Sequence, residues 1–154
     1  LPDGPVLLVS NHQGLFDILV LLGYTNKPLG FIAKKEIKKL PIIRIWMELI
    51  NCVFIDRSNR REAVKVINQG IENLKNGQSM VIFPEGTRSL GSQVNEFKPG
   101  SLRLGTKANV PIVPVAIDGT YKILEANNGK VKAAQVSLTI CDAIYPDQYK
   151  YTIL

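Results

Sequence analysis

Residues 5–22, PVLLVSNHQGLFDILVLL, join two apolar runs through a short polar turn. The first run, Pro5–Val9, is short and continuous, which predicts a buried strand. The second run, Leu15–Leu22, predicts a helix that stops at Gly23, because glycine often follows the last turn of a helix. A strand that passes through a turn into a helix is the repeating unit of α/β domains.

The rest of the chain continues this alternation. Further strands are predicted at Leu29–Ala33, Cys52–Ile55, Met80–Phe83 and Ile112–Ile117, and alternating Val136, Leu138 and Ile140 predict a last, half-exposed strand. Helices are predicted at Lys34–Leu40, Ile42–Ile50, Arg60–Lys75 and Gly100–Ala108. We therefore expect one α/β domain over residues 1–154, with a mainly parallel or mixed sheet flanked by helices.

Two of these helices have further signals. Asn59 and Glu62 match a capping box at the start of Arg60–Lys75, and Gly77 is placed to stop that helix. The segment Ile42–Ile50 has apolar residues on several faces, which predicts a buried or membrane-facing helix. The apolar stripe of the longer helix is predicted to consist of Ala63, Val64, Ile67, Ile71 and Leu74.

The composition is that of a folded domain with a surplus of positive charge. Hydrophobic residues make up 45% of the 154 residues, and no apolar run reaches the roughly 18 residues that a membrane-spanning helix needs. The net charge of +6 favours anionic partners, such as phosphates, acidic carrier proteins, anionic membranes or nucleic acid. An ordinary solvated surface accounts for the charge equally well.

The start of the chain and its two cysteines bear on its origin. Leu1 is not a Met, and no charged and apolar leader pattern follows it. We therefore expect residues 1–154 to be part of a longer protein, in which a membrane anchor would lie outside this segment. Cys52 and Cys141 lie in apolar runs and are expected to be buried free thiols, as in a reducing compartment.

Three polar clusters directly follow predicted strands. Asn11–Asp17 follows the first strand, Asp56–Arg57 follows the third, and Pro84–Ser89 follows the fourth. Ligands of α/β sheets gather beyond the carboxyl ends of the parallel strands. We therefore expect the three clusters to meet at one rim of the sheet and to form an active site there.

His12 is the only histidine, and Asp17 follows it by five positions. In a regular helix this spacing would separate the two side chains by about 140°. They can meet if His12 lies in the turn before the helix, which Gly14 allows, and Asp17 lies in its first turns. Asp17 would then fix the tautomer of His12, which would act as a general base. A helix-end carboxylate beside a satisfied histidine is the alternative.

The other two clusters favour an anionic ligand. Pro84–Ser89 combines a predicted tight turn with hydroxyl, backbone and guanidinium donors that suit a phosphate. Within it, Glu85 is expected to orient Arg88 or to accept a hydrogen bond from a substrate hydroxyl. Arg57 precedes a predicted helix, so a phosphate there would meet a guanidinium and a helix N-terminus, although simple helix capping is the alternative.

Two apolar segments suggest contact with lipid. The run Val110–Ile117 contains Pro111 and Pro114, and a proline inside a strand predicts an edge or a bulge. This run would line a groove for an alkyl chain or form ordinary core. Around Trp46, basic and apolar residues mix as in segments that bind anionic membranes, with a solvated helix face as the alternative. The basic residues there are Lys34, Lys35, Lys38, Lys39 and Arg44.

Taken in order, these segments resemble the glycerolipid acyltransferases, and most closely the lysophosphatidic acid (1-acyl-sn-glycerol-3-phosphate) acyltransferases. The resemblance rests on four blocks, which are Asn11-His12 with Asp17, then Phe54–Arg57, Phe83–Ser89 and Val110–Val115. Together they span about residues 7–117. Each block alone has modest specificity, but the four in this order are strongly indicative of the family.

The resemblance implies that His12 and Asp17 are the catalytic general-base pair of an HX4D motif, acting on the sn-2 hydroxyl of lysophosphatidic acid to give phosphatidic acid. It implies acyl-CoA or acyl-acyl carrier protein as co-substrate, with no cofactor, no metal and no covalent acyl-enzyme. It also implies membrane association at the cytoplasmic face. The implied substrate-binding residues are Arg57, Glu85, Gly86, Thr87 and Arg88, and those near the acyl chain are Val110, Pro111, Ile112 and Pro114.

Two alternatives stay open at this point. The first is a different acceptor, either glycerol 3-phosphate or another lysophospholipid. A non-catalytic basic module that binds lipid or nucleic acid would explain the charge, but it leaves the spacing of His12 and Asp17 unexplained. The chain has no recognisable nucleic-acid-binding motif, so we expect no nucleic-acid partner.

Overall fold

The computed structural model describes residues 1–151, which form one six-stranded sheet flanked by helices. The strands are β1 (Leu7–Ser10), β2 (Leu29–Lys34), β3 (Val53–Ile55), β4 (Ser79–Ile82), β5 (Ile112–Asp118) and β6 (Ser137–Ile140). The α-helices are α1 (Phe16–Tyr24), α2 (Pro41–Leu49), α3 (Arg60–Lys75), α4 (Arg103–Ala108) and α5 (Pro146–Tyr149). Short 3₁₀ turns occur at Lys35–Lys39, Thr120–Lys122 and Glu125–Asn127.

The strands lie in the order β3-β2-β4-β1-β5-β6. The first five of these strands run parallel, and β6 pairs antiparallel with β5 at one edge. Strand β1 lies between β4 and β5, with Leu8 opposite Val81 on one side and Val113 on the other. This arrangement confirms the predicted α/β class with a mixed sheet.

Alternation along β1 divides the hydrophobic core between the two faces of the sheet. Leu7 belongs to one buried cluster with Leu74 of α3 and Leu104 of α4. Leu8 belongs to the other, with Leu21 of α1, because successive strand side chains point to opposite faces. These leucines have no exposed surface, and burying each side chain contributes about 1.5–3 kcal/mol. The packing on both faces holds the strand ends in fixed positions.

Helix α3 begins and ends where the sequence predicts. The side chain of Asn59 accepts hydrogen bonds from the backbone N–H of Arg61 at 3.1 Å and of Glu62 at 3.3 Å. These bonds satisfy two of the four donors that every helix leaves free at its start. Gly77 follows the last turn with a φ of +94°, a conformation that glycine adopts without strain.

The predicted apolar stripe of α3 is wrong at one position. Val64 is exposed, whereas Val66 is buried against the core. The buried face passes through Gly70, where Leu104 of α4 packs so closely that a Cβ on the glycine would lie 2.8 Å from Leu104 Cδ2. This close approach of α4 fixes which side of α3 faces the core, and it leaves Val64 on the outer side.

Two helix boundaries also differ from the prediction. Helix α1 runs through Gly23 to Tyr24, and it ends at Thr25, whose Oγ1 donates to Leu21 O at 2.7 Å. Gly23 is solvent-exposed and is not among the glycines with a positive φ. It therefore continues the helix rather than ending it. Gly100 has a φ of +80° and belongs to a turn, so α4 begins only at Arg103.

Strand β5 is an interior strand, so the prediction of an edge at its proline is wrong, but a bulge does lie there. Val115 pairs with Ile140 and Ile112 with Ile144, so the three residues Cys141–Ala143 face only Val113 and Pro114. Pro114 lies opposite Val9 of β1, and its carbonyl accepts a hydrogen bond from Cys141 N at 2.9 Å. In an antiparallel pair the N–H and C=O of one residue point to the same side. The missing N–H of Pro114 therefore faces this bulge, where the regular ladder is interrupted.

None of the helices within residues 1–151 combines the length and apolar character that a bilayer-spanning segment requires. The two cysteines occupy different environments. Cys141 is exposed just after the edge strand β6, so the prediction that it is buried is wrong. Cys52 is partly buried, and this burial raises the pKa of its thiol to about 11.

The two thiols should therefore react at very different rates with iodoacetamide at pH 8. Only about one thousandth of Cys52 is thiolate at that pH, and the thiolate is the reactive form. We expect Cys141 to be alkylated at least about 100-fold faster, measured by peptide mass spectrometry. The Cys141→Ser variant should lose the fast phase, and equal rates for the two sites would contradict the assignment.

Candidate active site

His12 and Asp17 lie on either side of the start of α1. His12 is in the turn after β1, and Asp17 is in the first turn of the helix. The two side chains meet, with His12 Nδ1 2.7 Å from Asp17 Oδ2. Because a carboxylate at Nδ1 favours a proton on that nitrogen, Nε2 is left as the basic site of the ring. The structure therefore has the predicted contact between His12 and Asp17. The catalytic role of the two residues stays a prediction.

Asp17 has no solvent-exposed surface, and its carboxylate is surrounded by donors. Oδ2 accepts from Gln13 N at 2.6 Å and from Gly14 N at 3.0 Å, while Oδ1 accepts from the hydroxyl of Thr120. A buried carboxylate is costly unless such partners compensate for lost water. Asp17 thus binds both the backbone of the turn and the His12 ring. It is a carboxylate at the start of a helix, and it also orients the histidine.

His12 is also held from the side of β4. Its ring stacks on Phe83 with the centroids 3.9 Å apart and the planes at 17°. Its backbone N–H donates to Glu85 Oε1 at 2.7 Å, and Glu85 Oε2 accepts from Asn95 N at 2.8 Å. The sequence predicts that Glu85 orients Arg88 or binds a substrate hydroxyl. The structure instead places its buried carboxylate on two backbone amides, which makes it a support of the histidine turn.

Backbone hydrogen bonds join the cluster after β1, Asn11–Asp17, directly to the cluster after β4, Pro84–Ser89. Ser89 N donates to His12 O at 2.8 Å, and Leu90 N donates to Gln13 O at 3.1 Å. The two clusters follow the adjacent strands β1 and β4, whose carboxyl ends lie side by side. As predicted, these two clusters therefore meet at one rim of the sheet.

The Asp56–Arg57 cluster, which follows β3, reaches the same rim from the far edge of the sheet. Although β2 separates β3 from β4, Arg57 Nη1 donates to the carbonyl of Gly86. Partial burial of the guanidinium lowers the pKa of Arg57 from its usual value. The start of α3 nearby is capped by the side chain of Asn59, as in the capping alternative, and a phosphate at that helix end stays a prediction. Arg57 is directed toward the β4 loop.

Asp56, beside Arg57, is engaged by other partners. Its Oδ2 lies 2.6 Å from Lys35 Nζ, and its Oδ1 accepts from the backbone and hydroxyl of Ser58. The hydrogen bonds from Lys35 and Ser58 lower the pKa of Asp56 to about 2. Asp56 is therefore ionised at neutral pH. Its carboxylate is bound by Lys35 and Ser58, and not by Arg57.

Arg88 does not lie alongside Arg57. Its Nη1 is 3.3 Å from Glu125 Oε1, which also accepts from Leu15 N at 2.7 Å at the start of α1. Glu125 is nearly buried and packs on Gly14, where a Cβ would lie 2.5 Å from Glu125 Oε2. The predicted phosphate ligand Arg88 is thus attached to the same turn that carries His12. Thr87, beside it, is exposed.

Several residues that build the site were not found from the sequence. Asn11 exchanges two hydrogen bonds of 2.8 Å with the backbone of Ile117, and Gln13 Oε1 accepts from Gly119 N at 2.8 Å. Thr120 and Glu125 follow β5 as well. The strand-end rule that united the other clusters applies equally to the residues after β5, and it would have indicated them.

The segment predicted to lie near an acyl chain is mainly core. Val110 and Ile112 belong to the buried cluster that contains Leu7, at the amino ends of the strands, whereas His12 follows the carboxyl end of β1. The core-strand alternative therefore accounts for these two residues. Pro111 and Pro114 are half-buried, and contact of this segment with an acyl chain stays a prediction.

Comparison with known proteins gives a consistent result. A family model described as Acyltransferase matches residues 1–118. A probable 1-acyl-sn-glycerol-3-phosphate acyltransferase of Mycoplasma genitalium is 39% identical over 132 residues, covering 82% of this chain and 49% of that protein. The 1-acyl-sn-glycerol-3-phosphate acyltransferase of Saccharomyces cerevisiae is 36% identical over 128 residues, covering 81% of this chain and 42% of that protein.

A solved structure is similar over nearly the whole chain. The crystal structure of the 1-acyl-sn-glycerophosphate (LPA) acyltransferase PlsC from Thermotoga maritima superposes with a TM-score of 0.86 at 35% sequence identity. The match covers 99% of this chain and 60% of that one. The chain spans about half the length of the curated relatives it matches.

Replacing Gly14 by alanine should destabilise the histidine turn. The new methyl group would displace the Glu125 carboxylate and break its hydrogen bond to Leu15 N, at an expected cost of about 1–2 kcal/mol in the free energy of unfolding. Urea denaturation followed by circular dichroism measures this change.

Gly23→Ala is the matched control, because Gly23 lies in α1 with open space around it. There the substitution should stabilise the protein by about 0.5–1 kcal/mol, since alanine is the better helix former. Equal effects of the two substitutions would show that the contact of Gly14 with Glu125 does not matter for the fold.

Proposed function

The chain belongs to the acyltransferase family, and we propose that it transfers a fatty acyl group from an acyl thioester to the free sn-2 hydroxyl of 1-acyl-sn-glycerol 3-phosphate, giving phosphatidic acid. The observation that carries this proposal is the hydrogen bond between His12 and the buried carboxylate of Asp17, which leaves Nε2 of His12 as a base at the strand rim. The relatives named as 1-acyl-sn-glycerol-3-phosphate acyltransferases support this acceptor.

In the proposed reaction, His12 Nε2 takes the proton of the acceptor hydroxyl while that oxygen forms a bond to the thioester carbonyl carbon. The tetrahedral intermediate then collapses, the C–S bond breaks, and the thiolate takes the proton from His12. The products are an ester and a free thiol, and the base is regenerated. Asp17 holds the imidazole in one tautomer and stabilises its charged form during the transfer.

Direct transfer is supported by the surroundings of His12. Among residues 1–151, no serine or cysteine side chain forms a hydrogen bond with the imidazole, which a protein nucleophile activated by this base would need. Both cysteines lie in other parts of the fold. We therefore propose that the mechanism passes through no acyl-enzyme.

The acceptor would bind beside His12 on the turn that follows β4. Arg57 donates to Gly86 O in that turn, and the exposed Thr87 and the Arg88 guanidinium lie next in sequence. Guanidinium and backbone donors suit the phosphate of the acceptor. Glu85 would contribute by holding the histidine turn rather than by binding substrate.

Experiments can distinguish this function from two others, which are transfer to a different acceptor and binding without catalysis. A glycerol 3-phosphate or other lysophospholipid acceptor shares the same base chemistry, so a panel of acceptors with the purified protein distinguishes them. A non-catalytic basic module that binds lipid or nucleic acid would show no transfer to any acceptor. The oriented His12–Asp17 pair favours an enzyme, because such a module has no use for a base with a fixed tautomer.

Helix α2 supports binding to an anionic membrane. Its apolar side chains are exposed, with Trp46 at 71% and Leu49 at 77%, and only Met47 is buried. Lys34 and Lys39 beside it are exposed and have no carboxylate partner in the part of the chain that the structure describes. An exposed apolar helix with tryptophan and flanking cations is typical of interfacial segments. We propose association with the cytoplasmic face of a membrane through this helix.

His12→Ala should abolish acyl transfer while the fold persists. Loss of a general base lowers kcat by about 10²–10⁴-fold. The assay supplies lysophosphatidic acid with acyl-CoA and, separately, with acyl-acyl carrier protein, so it also identifies the donor. Lys65→Ala, at an exposed position of α3, is the control and should retain full activity. Full activity of folded His12→Ala protein would disprove the mechanism.

Trp46 is the only tryptophan, so its fluorescence reports on α2 alone. We expect its emission to shift to shorter wavelength with vesicles that contain phosphatidylglycerol, and much less with phosphatidylcholine vesicles, because the cations favour anionic lipid. Ile42→Glu should weaken binding to the anionic vesicles, whereas Val131→Glu, an exposed site outside α2, should not. No spectral shift with either lipid would exclude this surface.

A further inference from the structure

Lys98 lies against the turn that follows β4, next to a residue already placed in the candidate site. Its Cε would be 2.8 Å, and its Cδ 3.3 Å, from a Cβ built on Gly86. Arg57 Nη1 would be 3.5 Å from the same point. Two cationic side chains therefore converge on one face of Gly86, whose φ of +73° also favours a residue without a side chain.

The backbone of Lys98 is fixed on both sides. Its N–H donates to Pro84 O at 2.8 Å, and its carbonyl accepts from the hydroxyl of Ser101 at 2.6 Å. These two bonds attach Lys98 to the β4 turn on one side and to the start of α4 on the other. The direction in which the lysine leaves the backbone is therefore set by the fold, although the side chain is exposed.

The convergence of Arg57 and Lys98 is not neutralised by a protein carboxylate. Within residues 1–151, neither side chain has an aspartate or glutamate oxygen inside 4.0 Å. Glu85 is adjacent in sequence but faces His12 N and Asn95 N, and Glu36 acts on Arg57 only from beyond that distance. Two cationic side chains that approach the same glycine without a carboxylate beside them repel one another.

Other cations near the rim differ from this pair. Arg88 lies beside Glu125, and Lys35 lies beside Asp56. The sequence predicts Arg57 and Arg88 as the phosphate ligands, yet the two unneutralised cations that flank Gly86 are Arg57 and Lys98. A dianionic ligand between them would offset their repulsion and use donors that are already held in place.

We infer that Lys98, together with Arg57, binds the phosphomonoester group of a substrate at the face of Gly86. This inference rests on the proposed function, since it assigns a ligand to the same site. Glu85, the residue before Gly86, contacts the backbone of His12, so the bound phosphate lies close to the proposed base. Both the lysophosphatidic acid acceptor and a coenzyme A donor contain such a phosphate.

The test compares Lys98→Ala and Lys98→Arg with Lys107→Ala, an exposed lysine of α4 that serves as the matched control. For Lys98→Ala we expect KM for lysophosphatidic acid to rise about tenfold or more, with kcat changed by less than about twofold, because a bond to a charged group is lost. Lys98→Arg should restore most of the affinity. A rise in KM for acyl-CoA alone would instead assign the phosphate to the donor.

Inorganic phosphate provides a readout that does not depend on catalysis. Phosphate should raise the Tm of the wild-type chain and of Lys107→Ala, and raise that of Lys98→Ala much less. If the wild type transfers no acyl group but shows this pattern, the proposed function fails and the phosphate site stands. If Lys98→Ala leaves both KM values and the response to phosphate unchanged, the inference is overturned.

Discussion

The buried carboxylate of Asp17 is the constraint on which the candidate site depends. A charge removed from water needs compensating donors, and Asp17 takes them from the turn backbone, from the His12 ring and from Thr120. These donors come from two distant parts of the chain, the turn after β1 and the 3₁₀ turn after β5, so satisfying one side chain joins the two. Strand β1 makes this possible because it lies between β4 and β5, and both neighbours deliver loops to its carboxyl end.

The cationic side chains also differ in whether a carboxylate lies beside them. The net charge of +6 is a property of the whole chain, but its meaning depends on which cations have partners. Lys35 and Arg88 lie beside carboxylates and take part in holding loops together. Arg57 and Lys98 are left without one at the rim, and the lysines beside α2 are left without one on an apolar surface. The excess of positive charge is thus found in two places, at the rim beside Gly86 and next to the apolar surface of α2.

Local patterns predicted the strand and helix order, the cap at Asn59 and the contact between His12 and Asp17, because each depends on residues close in sequence. They failed where distant elements decide. Val64 is exposed because α4 fixes the buried face of α3. Gln13, Thr120, Glu125 and Lys98 have partners that are distant in sequence, which local spacing does not encode, and only the strand-end rule extended to β5 points to Thr120 and Glu125.

The supports of the histidine turn have a consequence for how the protein folds. His12 and Asp17 are neighbours in sequence, but Glu85 is 73 positions from His12 and Thr120 is 103 positions from Asp17. Closing chain segments of this length costs entropy that only the packed sheet repays, and contacts of this kind form slowly. The pair therefore acquires its fixed geometry only after β5 has docked beside β1. A nascent or partly unfolded chain therefore lacks this arrangement even though both members of the pair are present in its first turn and helix.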